Sequence, residues 1–281
     1  MLKDCKVAIL GTGTMGRALG QGMVKAGVID SDHIRGTVKH QRELEQAAAG
    51  VDFEVGTDNT AAVRDADIVL LCTKPRDARP LLAELAAAGA LGHGPLLISI
   101  VAGVSTSELE AAAGGSLRVV RAMPNTPCLV AAGMVVLTSG SRADDGDLDL
   151  ARAVFGPLGR VLCLDEEHMD AVTGLSGSGP AFVYVIIEAL SEGGVMTGLP
   201  RAVATEMAAQ TVHGAARMVL DTGRHPAALK DEVTTPAGCT ISALLSLEDG
   251  RLRSVLARGV QEAARSAAGL GQVGRATLKS D

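Results

Sequence analysis

The strongest constraint in this sequence is a glycine spacing and what stands on either side of it. Gly11-Thr12-Gly13-Thr14-Met15-Gly16 directly follows Lys6-Val7-Ala8-Ile9-Leu10, which reads as a strand. It opens a segment, residues 15–26, that reads as a helix closed by Gly27. A lone G-x-G-x-x-G matches many loops by chance. Between a strand and a helix it specifies a tight turn: Gly11 permits the turn, Gly13 lets a pyrophosphate approach the backbone, and Gly16 lets helix and strand pack closely. The first N–H groups of the helix then face the anion. A chain with this turn is committed to a βαβ unit, and Gly11, Thr12, Gly13, Thr14, Met15 and Gly16 are its candidate dinucleotide-binding residues.

The first half repeats the alternation. Residues 34–38, 51–55, 67–72, 96–100 and 117–120 read as strands, with helical segments between them, 41–49 among these. Residues 134–137 and 161–164 add strands near the far edge. Strands that are apolar on both faces and separated by helices mean a parallel sheet covered on both sides. After residue 165 the strand signal stops. Residues 180–195, 200–222, 236–247 and 252–268 read as helices, the first three with proline at their start. The expected fold is α/β: an N-terminal Rossmann-type doubly wound sheet in residues 1–165, then an all-helical C-terminal domain in residues 166–281.

Composition narrows the function. The 281 residues are 47% hydrophobic and 21% charged, enough apolar surface for about two packed domains. Aromatic residues make up only 1% (three Phe, one Tyr, no Trp) against 34 glycines. A base-stacking platform for single-stranded nucleic acid and an aromatic cage for a quaternary ammonium group are therefore hard to build. The net charge of −6 offers no basic footprint for nucleic acid. No apolar run approaches the roughly 18 residues of a membrane span, and a cleaved leader would remove the first strand. Cys5, Cys72, Cys128, Cys163 and Cys239 are odd in number and widely spaced, as expected of buried thiols in a reducing cytoplasm. No nucleic acid, membrane or metal is expected as a partner.

The end of the second strand bears on the nucleotide. NAD sites usually carry an acidic residue there, roughly 20 residues past the glycine turn. Here Val38 is followed by Lys39, His40, Gln41 and Arg42, while Asp30 and Asp32 come too early. A basic cluster suits a 2′-phosphate, so NADPH is the expected cofactor, with NADH second, and Lys39 joins the site. The same charges would also serve as a solvated helix start. Two further clusters lie in the second half. Leu175-Ser176-Gly177-Ser178-Gly179-Pro180 is not a nucleophile elbow, because Ser178 stands where glycine is needed and no strand precedes it. Its glycines suit close approach of a ligand or another chain, or a turn between domains. In Thr235-Pro236-Ala237-Gly238-Cys239-Thr240, Thr235 reads as an N-cap and Pro236 as the first helical residue. The N–H groups there suit a substrate carboxylate, with the Thr240 hydroxyl alongside; an ordinary capped helix fits the same residues.

Taken in order, these pieces resemble the pyrroline-5-carboxylate reductases over nearly the whole chain. The matching segments are the glycine turn, Cys72-Thr73-Lys74-Pro75, Val101-Ala102-Gly103-Val104, Met123-Pro124-Asn125-Thr126-Pro127, the run from Asp170 to Ala181, Gly193-Gly194, His225-Pro226 with Leu229-Lys230-Asp231, and Thr235 to Thr240. The resemblance implies reduction of 1-pyrroline-5-carboxylate to L-proline by hydride transfer from a nicotinamide cofactor, the last step of proline biosynthesis. It implies a homodimer through the helical half, with larger assembly open. It assigns Thr12, Thr14 and Met15 to the pyrophosphate, Asn59 to the adenosine end, Thr73 and Lys74 to the nicotinamide side and Ala102 to the ring. Gly238 and Cys239 would hold the substrate carboxylate through backbone N–H groups, with Thr235 in the same segment, and Thr240 would act on the pyrroline nitrogen. One departure stands out: the family often has glycine where this chain has Ala237, which costs stability if φ is positive there.

Two other readings compete. β-Hydroxyacid dehydrogenases share the opening, but they carry a catalytic lysine on the first long helix of the helical domain, and residues 180–195 contain none. A non-catalytic NADPH-binding regulator would not need the Thr235 to Thr240 segment. Asp145, Asp147 and Asp149 imitate a calcium loop, but Leu150 and Gly156 stand where Gly and Glu are required, so the run is expected to face a helix N-terminus.

Overall fold

A computed structural model of the chain describes residues 2–273, with side-chain surroundings given through residue 270; the last eight residues of the expected helical domain lie outside it. One eight-stranded sheet runs in the order β3-β2-β1-β4-β5-β6-β7-β8. Its strands are β1 (Val7–Leu10), β2 (Ile34–Thr37), β3 (Glu54–Gly56), β4 (Ile68–Leu71), β5 (Leu96–Ser99), β6 (Arg118–Met123), β7 (Gly133–Ser139) and β8 (Gly159–Cys163). All neighbours are parallel except β6 and β7. The order reverses at β1, which lies between β2 and β4, with Ile9 level with Gly36 on one side and Leu70 on the other. In open α/β sheets that switch point, at the carboxyl ends of the strands, is where ligands bind.

The strands are apolar throughout because both faces are covered. Alternate residues feed two cores: Ile9, Leu70 and Ile98 pack with Leu19, Met23 and Phe155, while Leu10, Leu71 and Leu97 pack with Leu82, Leu85 and Leu109. The covering helices are α1 (Thr14–Lys25), α2 (Leu44–Ala48), α3 (Asn59–Val63), α4 (Pro75–Ala87), α5 (Thr106–Ala112) and α6 (Asp145–Phe155). The segment expected as a helix over 41–49 is a 3₁₀ turn, Gln41–Glu43, followed by the short α2. The third strand begins at Glu54 rather than 51, because the Asp52 N–H and carboxylate are taken by the Gln21 side chain on α1. The acidic run does serve a helix start. Asp144 and Asp147 exchange side-chain and backbone hydrogen bonds at the N-terminus of α6, and buried Asp147 also accepts from Arg118 at 2.6 Å.

By contact the chain divides into two compact units, residues 1–178 with 262–281, and residues 179–261. By this measure the two units meet at Ser178/Gly179, thirteen residues past the change from strands to helices at 165/166, and the end of the last helix belongs to the first unit. The reason is local. Residues after 165 form α7 (Met169–Val172) and a π-helical turn (Thr173–Gly177) that stays tied to the sheet unit. Asn125 donates to the Ser176 carbonyl at 3.2 Å, and Glu166 accepts from Arg121 on β6 and from Thr106 on α5.

The second unit holds α8 (Gly179–Met196), α9 (Arg201–Thr222), α10 (Pro226–Glu232), α11 (Cys239–Asp249) and the first part of α12 (Leu252–Val273). Helices α8 and α9 approach closely through small residues: a Cβ on Gly194 would stand 3.0 Å from that of Ala204, and the Ser191 and Thr205 hydroxyls meet at 2.8 Å. This unit has almost no core of its own. Its buried residues are Ser191, Ala204 and Ala208, while Val185, Met196, Met207, Met218, Leu220 and Leu245 are exposed. The expectation that no segment is long enough to span a membrane is also corrected. Residues Glu166–Met196 run as one 31-residue helix that passes that test by length and composition, with 11% of its apolar window buried. The Gly177-Ser178-Gly179-Pro180 sequence had suggested a break, but the backbone passes through it in a π turn, where Ser178 N–H donates to the Thr173 carbonyl five residues back.

Candidate active site

A cavity of about 820 Å³ opens at the switch point of the first unit. The glycine turn forms its floor. Gly11 has φ +101°, and a Cβ there would press on the Cys72 carbonyl at 2.9 Å, so only glycine fits. The Gly11 and Thr12 N–H groups both donate to the Thr37 carbonyl, at 3.1 and 2.7 Å, which locks the turn against the end of β2. Gly13 is the N-cap of α1 with nothing within 4 Å of a Cβ position, which leaves the approach to the first helical N–H groups open. The buried Thr12 and Thr73 hydroxyls have no hydrogen-bond partner. Orphaned polar atoms beside an open helix start fit a polar ligand.

Of the expected nucleotide residues, Gly11, Thr12, Gly13, Thr14, Lys39, Asn59, Thr73 and Lys74 line this cavity. Asn59, the first residue of α3, accepts a 2.7 Å hydrogen bond from the Thr37 hydroxyl. Met15, Gly16 and Ala102 do not line it. Met15 packs into the core, and Gly16 is buried against the Gly11 carbonyl, where any Cβ would overlap the oxygen. Ala102 sits in the loop after β5. Sequence reasoning did not single out Arg17, Thr37, Arg76 or Asp77, which also line the cavity. Arg17 directly follows the glycine turn, and Arg76 and Asp77 directly follow Thr73-Lys74-Pro75, so adjacency to a recognised motif was the available signal. Asp77 accepts from Lys39 at 2.8 Å and lies 3.7 Å from Arg76. The hydrogen bond from Lys39 holds its carboxyl below the usual carboxylate range. Burial pushes the neighbouring Cys72 thiol up to about 12, so it stays protonated at neutral pH and is no nucleophile.

Within the same unit, two recognised motifs explain each other. The π turn disturbs the helical ladder around Ser176, and Asn125 supplies a donor to that residue's carbonyl while its Oδ1 accepts from Met134 N–H at 2.9 Å. A Cβ on Gly177 would come 2.7 Å from the Met123 methyl group, so glycine is what admits this packing.

In the second unit, the segment from Thr235 is not the start of a helix. Helix α11 begins at Cys239, with Gly238 as its N-cap, and Thr235 to Gly238 form a turn. Ala237 has φ +57°, a left-handed conformation that ends any helix begun at Pro236. The Gly238 N–H is taken by the Thr235 carbonyl at 3.1 Å, so it is not available to a carboxylate. Cys239 and Thr240, as the first and second helical residues, have N–H groups without an intrahelical acceptor. The left-handed alanine carries a penalty of about 1 kcal/mol. Ala237→Gly is therefore expected to raise unfolding free energy by roughly that amount, or to offset it through the added freedom of the unfolded chain to no less than zero. Denaturant titration checks this, and a destabilised variant would show that the positive φ is not held in solution.

The model of the family described as pyrroline-5-carboxylate reductase dimerisation matches residues 166–270. A model described as NADP oxidoreductase, coenzyme F420-dependent, matches residues 6–103. The chain is 40% identical to the pyrroline-5-carboxylate reductase of Methanosarcina acetivorans, covering 96% of this chain and 100% of that one. It is 41% identical to that of Schizosaccharomyces pombe, covering 94% and 98%. Among solved structures, the Plasmodium falciparum pyrroline carboxylate reductase with NADP bound superposes with a TM-score of 0.86 at 29% identity, covering 96% and 99%. The chain belongs to the pyrroline-5-carboxylate reductase family.

Proposed function

We infer that this chain reduces 1-pyrroline-5-carboxylate to L-proline, with NADPH as the electron donor and NADH as a second one. The observation that carries the reading is the pairing of a full-length family match with an open cavity at the sheet's switch point, lined by the glycine turn. A reduced nicotinamide held there supplies the hydride that adds to the imine carbon. The residues of the chain bind and orient. The α1 N-terminus at Gly13 and Thr14 takes the pyrophosphate, Lys39 and Asn59 the adenosine end, and Thr73 and Lys74 the nicotinamide side. Met15 and Gly16 serve by packing, and Ala102 lies beside the ring. The Cys239 N–H at the start of α11 holds the substrate carboxylate, with Gly238 and Thr235 shaping the turn that presents it. The Thr240 hydroxyl hydrogen-bonds the pyrroline nitrogen as its charge changes. Because the imine can enter protonated, no strong acid is needed, and the rate comes chiefly from positioning.

The helical segment 166–281 is proposed as the substrate and dimerisation domain. A unit whose buried residues are a serine and two alanines cannot offset the entropy of ordering five helices. Its exposed valine, leucine and methionine side chains, including those on the Glu166–Met196 helix, are covered by a second copy rather than by lipid. A reducing, cytoplasmic setting is part of the same reading, supported by the odd number and wide spacing of the five cysteines. Purified protein mixed with NADPH and 1-pyrroline-5-carboxylate should consume NADPH, read by the loss of its absorbance, and elute as a dimer or larger assembly. Nucleotide binding without consumption would favour the non-catalytic regulator.

A further inference from the structure

The sequence carries no acidic residue at the end of β2, where an NAD site would place one. The structure supplies one from elsewhere. Asp77, in the first turn of α4, reaches across the cavity wall and binds Lys39, the first residue past Val38, at 2.8 Å. Both side chains line the cavity beside Asn59 and the glycine turn. Neither is sealed off: the Asp77 side chain is 27% exposed and that of Lys39 63%. The carboxylate keeps a second cation, Arg76, 3.7 Å away. An ammonium suits a 2′-phosphate, and a carboxylate suits a 2′-hydroxyl, from which it accepts a hydrogen bond. Here the two groups are joined in one ion pair at the adenosine end.

We propose that Asp77 is a specificity-determining residue, which with Lys39 forms a two-way reader of the ribose 2′ position; this rests on the nucleotide reading above. With NADH, Asp77 accepts the 2′-hydroxyl while Lys39 stays on the carboxylate. With NADPH, the Lys39 ammonium must be shared with or surrendered to the phosphate, and the dianion meets the Asp77 charge. Asp77 thus strengthens NADH binding and weakens NADPH binding. It moderates the preference that Lys39, Arg42 and Arg17 would otherwise impose.

The test is fluorescence titration of the full-length protein with NADPH and with NADH, for wild type and Asp77→Asn. The amide keeps the shape but removes the charge. Across a partly exposed pair of this kind, NADPH should bind about fivefold tighter and NADH about threefold weaker. In a Lys39→Met background the same substitution should tighten NADPH by less than in wild type, because only the direct repulsion between the Asp77 charge and the phosphate is then relieved. Asp77→Ser should give the same opposite shifts and carries the test if the asparagine variant does not fold. Equal shifts for both nucleotides, or no shift in either, overturn the proposal while leaving the enzyme reading intact. A wild type that binds neither nucleotide overturns both.

Discussion

Replacing Thr240 by alanine should lower turnover about 100-fold, the low end for losing a group that stabilises a changing charge, while the NADPH dissociation constant stays within about twofold. The split follows from where the residue stands. Thr240 is the second residue of α11, half-buried, in the unit formed by residues 179–261. The nucleotide-lining residues belong to the sheet unit. The backbone N–H groups at the helix start survive the substitution, so carboxylate binding and KM should change less than kcat. Thr240→Ser keeps the hydroxyl and should recover most of the rate. Steady-state kinetics alongside nucleotide titration reads all of this. Unchanged turnover in the alanine variant would remove Thr240 from the mechanism.

The other large effect separates two glycines of one motif. Gly13 has φ −81°, which any residue tolerates, and nothing lies within 4 Å of its Cβ position. Gly13→Val should therefore fold with stability within about 1 kcal/mol of wild type, yet lose at least about 30-fold in NADPH affinity, because its side chain fills the space the pyrophosphate needs. Gly16→Ala should do the reverse. Its methyl group would overlap the Gly11 carbonyl oxygen, and backbone cannot rotate away as a flexible side chain can. The cost should be about 3 kcal/mol of stability, at the upper end of ordinary overpacking. Thermal or denaturant unfolding with nucleotide titration distinguishes them. A Gly13→Val protein that binds NADPH normally would show that the pyrophosphate does not sit on this turn.

The first unit was legible because its signals are local. The step from Leu10 into Gly11, the apolar strands and the helix punctuation each lie within a few residues, and each was decided by backbone sterics and two-sided burial. What misled was also local. Thr235-Pro236 looks like a helix start, and only the left-handed Ala237 moves that start to Cys239. The glycines near 177 look like a break, but the backbone passes through them in a π turn, and Asn125, 51 residues away in sequence, donates to the Ser176 carbonyl there.

The sequence by itself determined the βαβ opening, the change from strands to helices near residue 165 and the basic end of β2, since these rest on periodicity and on residue types at fixed short spacing. Tertiary structure alone decided which residues of the glycine turn face a ligand and which face the core. It also brought Asp77 to Lys39 across 38 residues of chain. The physical reason is that a charge pair's meaning depends on distance in space, and spacing in sequence reports that distance only within one turn or one strand. The crossing from β2 through β3, α3 and β4 to α4 brings a carboxylate against Lys39, just past the end of a strand that carries none.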